Sequence, residues 1–547
     1  MIDPSQDRFG SAGFADARMR RRAGLYRKQG AYIGHDAAGR PCFSDQQSAL
    51  LVTGGARSLK GSLVQPFLID GCICGTHGHH HIVLLDWKGQ DGAIAALQVR
   101  HGRHAYYFNP RKQRGMPAHR FDALGHLEAK SPTLLPDAMV FASNWTPETD
   151  PKAAYFQQWA QKINVAISVT YARTIGPVTL PVMADKVAVL GDLTEEWLSF
   201  QYEISIQPEP QIREVATLIE RVQSGEFKGG GWDGIKGELS KSYACMLDPQ
   251  LREALSPPFD FSFDMLTEEG SPSCLVSIME DLEYAETSGP IVRTLFSTAL
   301  LHKRRAIAAR PQFWVLQEIG NIGAWPLAES LATIGAGYGI RPAYVVQSTR
   351  QLENLKRGAS TVIPNSCGTQ IYLGTRSAEQ ARIIQSQLGR MTVEYVDQAA
   401  VGRAEAARSS AITKMILGQG DPVLTMMEAG HQECLAQQTV KMGRELRGID
   451  EILGEKNGQA FVFMPGVLAK PAYLTIRPYW QRRDLAGLYL GDPFHSKPGT
   501  VEISTFFGQR HRKVVTERVP RRLRDWPQYR ESGQWSYVSG YRPQPSN

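Results

Sequence analysis

The sequence predicts an α/β fold in which a mostly parallel sheet is interrupted by an all-α region. Short apolar runs of strand length recur along the chain and alternate with segments of helical periodicity, a pattern typical of strands buried on both faces. Between about residues 150 and 250, helical periodicity replaces this alternation. Polar residues follow several of the apolar runs, at the edge where ligands gather in open α/β sheets.

Length, composition and charge bound the function. A chain of 547 residues is longer than one hydrophobic core supports, so we expect roughly two to four domains. The net charge of +7 is compatible with an anionic partner. Seven scattered cysteines argue against a disulfide framework and for a reducing compartment. With neither a signal peptide nor a run of about 20 apolar residues, we expect a cytoplasmic protein.

We divide the chain into five segments. They are a basic N-terminal arm (1–47), the first part of the sheet domain (48–149), an inserted all-α domain (150–250), the second part of the sheet domain (251–497) and a basic-aromatic C-terminal tail (498–547). We interpret the arginine-rich arm as solvated. In the insertion, Phe156, Trp159, Ile163 and Ile167 recur at helical spacing, which predicts an amphipathic helix.

Apolar runs predict the strands of the sheet in chain order. They cover residues 49–53, 82–85, 105–108, 273–278, 313–316, 343–346 and 370–373, and strand patterns return over 458–480. Four polar residues follow these runs, namely Lys60, Asp86, Glu318 and Gln347. Because the carboxyl ends of parallel strands meet at one sheet edge, we expect these four side chains to lie near one another.

The turn after the first run resembles a phosphate-binding loop. It reads Gly54-Gly55-Ala56-Arg57-Ser58-Leu59-Lys60-Gly61-Ser62, against the usual G-x-x-x-x-G-K-[ST]. Leu59 stands in place of the second glycine, and Gly61 in place of the hydroxyl residue that ligates magnesium. We expect Leu59 to be accommodated only at negative φ. A chance glycine turn is the alternative interpretation.

The run 313–316 ends in Gln317-Glu318, where the partner strand of a phosphate loop usually ends in Asp-Glu. In that pattern the aspartate holds magnesium through water, and the glutamate polarises the attacking water. Gln317 is neutral and substitutes poorly for the aspartate, whereas Glu318 keeps the position of the base. The alternative for Glu318 is an ordinary surface carboxylate at a strand end.

Residues 313–355 resemble the second nucleotide-motif region of the type IV secretion coupling proteins of the TraG/TraD type. The matching residues are Asn321, Gly323, Gly337-Tyr338-Gly339-Ile340, Gln347 and Gln351-Leu352. Further blocks resemble other parts of that family and extend the resemblance over roughly residues 10–490. These blocks are 10–26, 82–110 with its D-x-K-G motif, 362–393 and 456–480.

The resemblance implies a RecA-like P-loop NTPase sheet with an inserted all-α domain, assembled as a hexameric ring. Such proteins use ATP and Mg²⁺ to hand single-stranded DNA with its relaxase, or protein effectors, to type IV secretion channel components. Carried over by position, Glu318 is the catalytic base and Gln347 senses the γ-phosphate. The implied nucleotide-binding residues are Gly54, Gly55, Ala56, Arg57, Ser58, Lys60, Gly61, Ser62 and Gln317.

The departures from the family pattern concern hydrolysis and membrane attachment. Both magnesium-ligand positions, Gly61 and Gln317, are altered, and one preorganised electrostatic group often contributes ~3–4 kcal/mol to a transition state. We therefore expect a coupling-protein-like component with weakened ATP hydrolysis; the alternative is a non-hydrolysing pseudo-ATPase scaffold or receptor. Family members usually begin with two membrane-spanning helices, which are not predicted here, so we expect contact with the inner membrane through partners.

Two further clusters carry potential chemistry. The run from Cys72 to His81 contains cysteine and histidine side chains that ligate zinc or copper elsewhere, but its Cys-x-Cys spacing favours a surface loop and no metal site. In the tail, basic residues alternate with aromatic residues. This pattern predicts either single-strand binding, through Arg512, Lys513, Arg521, Arg522 and Arg524, or docking on a neighbouring subunit or secretion partner.

Overall fold

The computed structural model describes residues 9–70, 80–226, 231–396, 398–419, 421–437 and 439–544. The strands are β1 (Ala31–His35), β2 (Pro41–Ser44), β3 (Leu50–Gly54), β4 (His81–Asp86), β5 (His104–Phe108), β6 (Phe121–Asp122), β7 (Phe261–Ser262), β8 (Cys274–Met279), β9 (Gln312–Gln317), β10 (Ile340–Val346), β11 (Thr369–Leu373), β12 (Arg390–Val396), β13 (Thr439–Glu445), β14 (Gln459–Phe463), β15 (Ala472–Thr475), β16 (Thr500–Thr505), β17 (Gly508–Arg518) and β18 (Gln534–Val538).

The helices surround and interrupt these strands. They are α1 (Ala17–Arg22), α2 (Lys60–Asp70), α3 (Gln90–Ile94), α4 (Leu134–Trp145), α5 (Ala154–Thr174), α6 (Leu180–Ala188), α7 (Glu195–Ser205), α8 (Pro210–Gln223), α9 (Gly231–Tyr243), α10 (Pro249–Ala254), α11 (Ala285–Arg305), α12 (Leu327–Ile334), α13 (Ala359–Ser366), α14 (Ala378–Leu388), α15 (Gln398–Ile416), α16 (Pro422–Gln437), α17 (Ile449–Leu453) and α18 (Pro527–Arg530).

One eleven-stranded sheet holds the molecule together, in the order β2-β1-β15-β14-β11-β3-β10-β9-β4-β8-β5. Every neighbouring pair from β11 to β5 is parallel. The pairs from β11 through β14, β15 and β1 to β2 are antiparallel. The α/β class is confirmed, and the apolar runs that predict strands all lie in this sheet.

The centre of the sheet is buried on both faces. In β3, Leu51 belongs to one hydrophobic core together with Trp314, while Leu50 and Val52 belong to the opposite core together with Phe67 of α2. This two-sided burial explains why the central strands read as continuous apolar runs rather than as alternating patterns.

The register of the central strands aligns their carboxyl ends. β10 lies between β3 and β9; it pairs Val346 with Thr53 on one side and Val345 with Gln317 on the other. The residues that follow β3, β9 and β10 therefore emerge at the same edge of the sheet. This is the edge that the sequence analysis marks with polar residues.

The sheet begins earlier than the boundary at residue 48, because residues 31–44 form β1 and β2 rather than a solvated arm. Tyr32, Ile33 and Phe43 of these strands are buried in the core that α2 also contacts. Sequence patterning missed β1 because Gly34 and His35 interrupt its apolar run. The arginines of α1 precede this part of the sheet.

Between residues 134 and 254 the described residues form helices but no strands. Their shared apolar side chains join the core on one face of the sheet, and Ile163 of α5, Trp197 of α7 and Ile212 of α8 are all buried there. The expected amphipathic helix is α5, so the all-α character of the insertion agrees with the helical periodicity.

An ion-pair network links this helical region to the sheet edge. Arg111 donates to Glu280 at 2.5 Å and to Asp248 at 2.7 Å. Glu280 directly follows β8 and its side chain is fully buried, while Asp248 caps α10. Burial raises the pKa of Glu280 to about 7, although the charge of Arg111 acts in the opposite direction.

Residues 500–538, within the predicted C-terminal tail, fold into a small three-stranded sheet. β17 pairs with both β16 and β18, and Trp535 and Tyr537 are buried against Leu97 and Val99 of the main domain. These aromatic rings are therefore core residues and not a stacking surface. The five basic residues predicted to contact single strands, Arg512, Lys513, Arg521, Arg522 and Arg524, remain exposed.

The exposed apolar side chains of the described residues include two groups of neighbouring residues. Phe506 and Phe507, between β16 and β17, are 81% and 79% exposed. α15 and α16 pack on each other and expose an apolar tip that includes Met415, Ile416 and Met427. Among the described residues, no helix is long and apolar enough to cross a membrane.

We predict that Trp535→Ala destabilises the protein by about 3–5 kcal/mol, because the indole belongs to the core beneath the C-terminal sheet. The control Phe507→Ala removes an exposed ring, and we expect a change within about 0.5 kcal/mol. Urea denaturation followed by circular dichroism measures both effects. Similar losses in the two variants would contradict the folded C-terminal sheet.

We predict that the contribution of Glu280 to stability falls as the pH rises from about 4.5 to about 7, because folded Glu280 retains a proton that the unfolded chain has already released. Glu280→Gln removes this contribution. The melting temperature of the variant, relative to that of the wild type, should therefore increase as the pH rises across this window. The matched control Glu253→Gln neutralises an exposed partner of Arg120. If melting curves of Glu280→Gln and wild type keep a constant offset across the window, the raised pKa is wrong.

Candidate functional site

The loop between β3 and α2 has the strand–loop–helix arrangement of a phosphate-binding loop. β3 ends at Gly54, and α2 begins at Lys60. The first N–H groups of a helix have no intrahelical partner, and the helix dipole favours negative charge at this end. The residues of the loop therefore fit an anion such as a phosphate group.

Close packing against β11 explains the paired glycines. A Cβ on Gly54 would lie 2.5 Å from Ser58 Oγ and 2.9 Å from the Cβ of Leu373. A Cβ on Gly55 would lie 3.1 Å from the carbonyl oxygen of Gly374. The loop thus passes so near β11 that a side chain at Gly54 has no room. Ala56 and Arg57 between these glycines and Ser58 are exposed.

Leu59 corrects the expectation of a negative φ, because its φ is 68°. Leu59 therefore adopts the left-handed conformation that suits the glycine of the usual motif. The path from β3 into α2 imposes this conformation on whichever residue is present, at a cost of roughly 1–2 kcal/mol for a non-glycine residue. Its side chain lies beside Gly458, where a Cβ would be 3.2 Å from Leu59 Cδ1.

An ion pair joins the loop to the end of β9. Lys60 Nζ donates to Glu318 Oε1 at 2.8 Å, and the two side chains are 13% and 21% exposed. Burial lowers the pKa of Lys60, and the charge of Glu318 opposes this shift. Two residues 258 positions apart in the sequence thus form one charged pair.

The backbone of Glu318 fixes its position. Its φ of 45° is left-handed, and its N–H donates to the carbonyl of Val345 at 2.7 Å. Asn321 Nδ2 donates to the Glu318 carbonyl at 3.0 Å. Asn321 is one of the residues that carry the family resemblance, and here it holds the turn that presents the carboxylate.

Two buried polar atoms test whether the site fits a ligand. Glu318 Oε2 and Ser58 Oγ have no hydrogen-bond partner among the residues that the structure describes. Buried polar atoms in native proteins are normally paired, and an unpaired one is explained by a bound water, ion or ligand, by strain or by a catalytic role. The loop therefore offers a lysine, an unpaired hydroxyl and an unpaired carboxylate oxygen, which fit a nucleotide and the water that attacks it.

Gln317 points to a carboxylate that the sequence analysis missed. Gln317 Nε2 donates to Asp91 Oδ2, and Gln65 Nε2 donates to Asp91 Oδ1 at 2.8 Å. Burial raises the pKa of Asp91, and the nearby Asp86 raises it further. The available signal was the acidic residue that directly follows the D-x-K-G-Q segment.

Asp86 has a structural role in the same region. Its carboxylate accepts the backbone N–H groups of Lys88 and Gln90 at 3.2 Å and of Gly92 at 2.8 Å. These bonds shape the turn into α3 and keep Lys88 close enough to Lys60 for its charge to lower the pKa of Lys60. Asp86 therefore helps to hold a second positively charged side chain, that of Lys88, near the phosphate loop.

The other predicted residues occupy less central places. Gln347 follows β10 at the same edge, where its side chain is exposed and its N–H donates to Gln351 Oε1 at 2.8 Å. Ser62 is buried within α2, and its hydroxyl does not replace the one that the usual motif has at the position of Gly61. Arg376, which the sequence analysis did not select, lies beside Gly55.

The cysteine-histidine run gives no described metal site. Cys72 through His79 lie outside the described residues. His81 is buried at the start of β4, where its Nδ1 accepts the N–H of Cys274 at 3.1 Å. Within the described ranges, no group of three or more metal-ligating side chains comes together.

Comparisons with known proteins place this geometry in a family context. Residues 5–428 match the family model described as type IV secretory system conjugative DNA transfer. No curated protein matches the chain. The chain is similar in structure to the bacterial conjugative coupling protein TrwBdeltaN70 in an unbound form, with 14% identity, a TM-score of 0.57 and coverage of 86% of this chain and 95% of the other.

A second solved structure has the same fold and a bound nucleotide. It is the plasmid coupling protein TrwB in complex with ADP and Mg²⁺, with 14% identity, a TM-score of 0.55 and coverage of 85% of this chain and 94% of the other. These likenesses establish the RecA-like fold with its helical domain.

We predict that Leu59→Gly changes the free energy of unfolding by less than about 1 kcal/mol. Glycine removes the backbone strain of a leucine in the left-handed conformation, which is about 1–2 kcal/mol. This gain offsets two losses, namely the greater entropy of the unfolded chain and the missing side-chain contacts of Leu59. The matched control is Leu198→Gly in α7, a partly exposed leucine in a helix, for which we expect a loss of about 1 kcal/mol or more. Equal losses in urea denaturation would contradict the strain at Leu59.

Proposed function

Because this chain belongs to the conjugative DNA-transfer family of type IV secretion systems, we propose that it is a nucleotide-binding coupling component with weakened ATP hydrolysis. It recruits single-stranded DNA with its relaxase, or a protein effector, to the secretion channel. Subunits assemble into a homo-oligomer, and by analogy with the family this is a hexameric ring. It contacts the inner membrane through its partners.

The observation that carries the proposal is the ion pair between Lys60 and Glu318 at 2.8 Å. It joins a phosphate-binding lysine to the carboxylate that accepts a proton from water, and both groups lie at the edge where β3 and β9 end. A structural ion pair alone does not account for the unpaired Glu318 Oε2 and Ser58 Oγ beside it. TrwB, which shares the fold, binds ADP and Mg²⁺, and this supports nucleotide binding here.

The roles of the residues follow from their chemistry. Lys60 leaves Glu318 and neutralises charge on the phosphates, so phosphate binding frees the carboxylate to orient water. Lys88 and Arg376 add positive charge around the same loop. Gln347, which follows β10 at the same edge, contacts the terminal phosphate in this proposal. Mg²⁺, when bound, offsets the charge that accumulates on the phosphate oxygens.

Slow hydrolysis follows from two features of the loop. Gly61 provides no hydroxyl to ligate the cation, and Gln317 provides no charge at the position of the usual aspartate. Each missing group removes stabilisation that acts mainly in the transition state. The same features favour the second candidate, a non-hydrolysing scaffold or receptor, if nucleotide binding persists without turnover.

Contact with DNA is an electrostatic proposal. The chain carries a net charge of +7, and the exposed Arg512 and Lys513 on β17 lie in the same C-terminal sheet domain as Arg521, Arg522 and Arg524. Such contacts bind phosphates without reading sequence. The buried aromatic rings of this domain take no part, so we assign its binding to charge rather than to base stacking.

We predict slow, DNA-stimulated ATP turnover by the purified chain, below about 1 s⁻¹. Glu318→Gln should lower turnover at least about 100-fold with nucleotide binding retained, because it removes the base. Lys60→Ala should weaken nucleotide binding as well as turnover. The matched control Lys162→Ala breaks a Lys–Glu pair of 3.0 Å in the helical region and should leave turnover unchanged.

The outcomes distinguish the two candidates. Turnover that disappears in Glu318→Gln and persists in Lys162→Ala supports the ATPase. Nucleotide binding without any turnover, with or without single-stranded DNA, supports the scaffold. The absence of nucleotide binding by the wild-type chain contradicts both.

A further inference from the structure

The two altered magnesium-ligand positions are connected through buried side chains. A Cβ on Gly61 would lie 3.2 Å from Nε2 of Gln65, so the amide of Gln65 stands directly in front of the missing hydroxyl. The same amide donates to Asp91 Oδ1 at 2.8 Å. The other oxygen of Asp91 accepts from Gln317, the residue at the position of the usual aspartate.

The carboxylate of Asp91 therefore lies between two neutral amides. One amide belongs to Gln65, which faces the altered position Gly61, and the other belongs to the altered position Gln317 itself. Asp91 is 3% exposed, and Gln65 is 5% exposed. Gln65 Oε1 has no hydrogen-bond partner within the described part of the chain. A purely structural role for Asp91 explains the two donated bonds but leaves this buried amide oxygen without a partner, which native proteins rarely tolerate.

We propose that Asp91 supplies the carboxylate of the divalent-cation site, in place of the usual aspartate at Gln317. In the structure both amides present their nitrogens to Asp91, and rotation of the Gln65 and Gln317 amides would present their oxygens to a bound cation instead. Mg²⁺ selects oxygen ligands and commonly uses one or two carboxylates together with substrate phosphates. This inference rests on the proposed nucleotide site.

The charge balance supports the assignment to Asp91 rather than to its neighbour. Asp86 is equally buried, but backbone N–H groups of Lys88, Gln90 and Gly92 occupy its carboxylate. Within the described part of the chain, the hydrogen bonds to the Asp91 carboxylate come from side-chain amides, which can reorient. A bound cation would favour the charged form of this carboxylate, which lies close to the position where the family pattern has its aspartate, although position 317 is neutral.

The test is the dependence of nucleotide affinity on Mg²⁺, measured by calorimetric titration of the full chain with ADP, once in EDTA and once with excess MgCl₂. We expect Mg²⁺ to tighten ADP binding of the wild type about tenfold or more, and Asp91→Asn to remove most of this gain while binding in EDTA remains. The double variant Asp91→Asn/Gln317→Asp moves the carboxylate to the usual position and should restore the gain. The matched control Asp122→Asn neutralises a partly buried carboxyl elsewhere and should keep it.

The possible results have separate meanings. An unchanged Mg²⁺ effect in Asp91→Asn, or no Mg²⁺ effect in the wild type, overturns the assignment of Asp91 while the nucleotide site stands. No ADP binding by the wild type in either buffer overturns the proposed function itself. Loss of the Mg²⁺ effect in Asp91→Asn, restored in the double variant, supports the relocated carboxylate and excludes a folding defect as its cause.

Discussion

The parallel register of β3, β10 and β9 is the constraint on which the site depends. It brings the end of the phosphate loop and the end of the glutamate-bearing strand to one edge, with a single strand between them. Only this alignment lets Lys60 reach Glu318 across 258 residues of sequence. The left-handed backbone at Leu59 and at Glu318 follows from the same requirement, since both chain segments must turn sharply as they leave the edge.

The strands of the buried sheet could be predicted from the sequence, because strands that are buried on both faces have continuous apolar runs. The position of the loop could be predicted as well, because the loop has a local sequence motif. Strands β1 and β17 could not be predicted in this way. β1 is short and contains Gly34 and His35, and β17 is basic along its exposed length, so each resembles solvated chain. The conformation of Leu59 was also predicted wrongly, because a local preference for negative φ yields to the geometry of the elements on either side.

Asp91 shows why a degenerate motif does not by itself exclude cation binding. A motif records which positions carry charge, whereas binding depends on where the charge lies in space. Gln317 and Asp91 are 226 positions apart and in contact, so the carboxylate that the end of β9 lacks lies beside it on another element. No local pattern contains that relation. It emerges only when β4 and β9 are paired and α3 folds back over the strand ends.

The C-terminal sheet has a structural consequence for the phosphate loop. Ile69, near the far end of α2, and Ile94, at the end of α3, pack in one cluster with Val501, Ile503 and Val538 of β16 and β18. Lys60 begins the same eleven-residue helix, which spans roughly 16 Å. The same helix therefore carries the phosphate loop at its start and packs against the C-terminal sheet near its end, so the loop and that sheet share one connecting element. The sheet in turn carries the exposed arginines and the exposed Phe506 and Phe507.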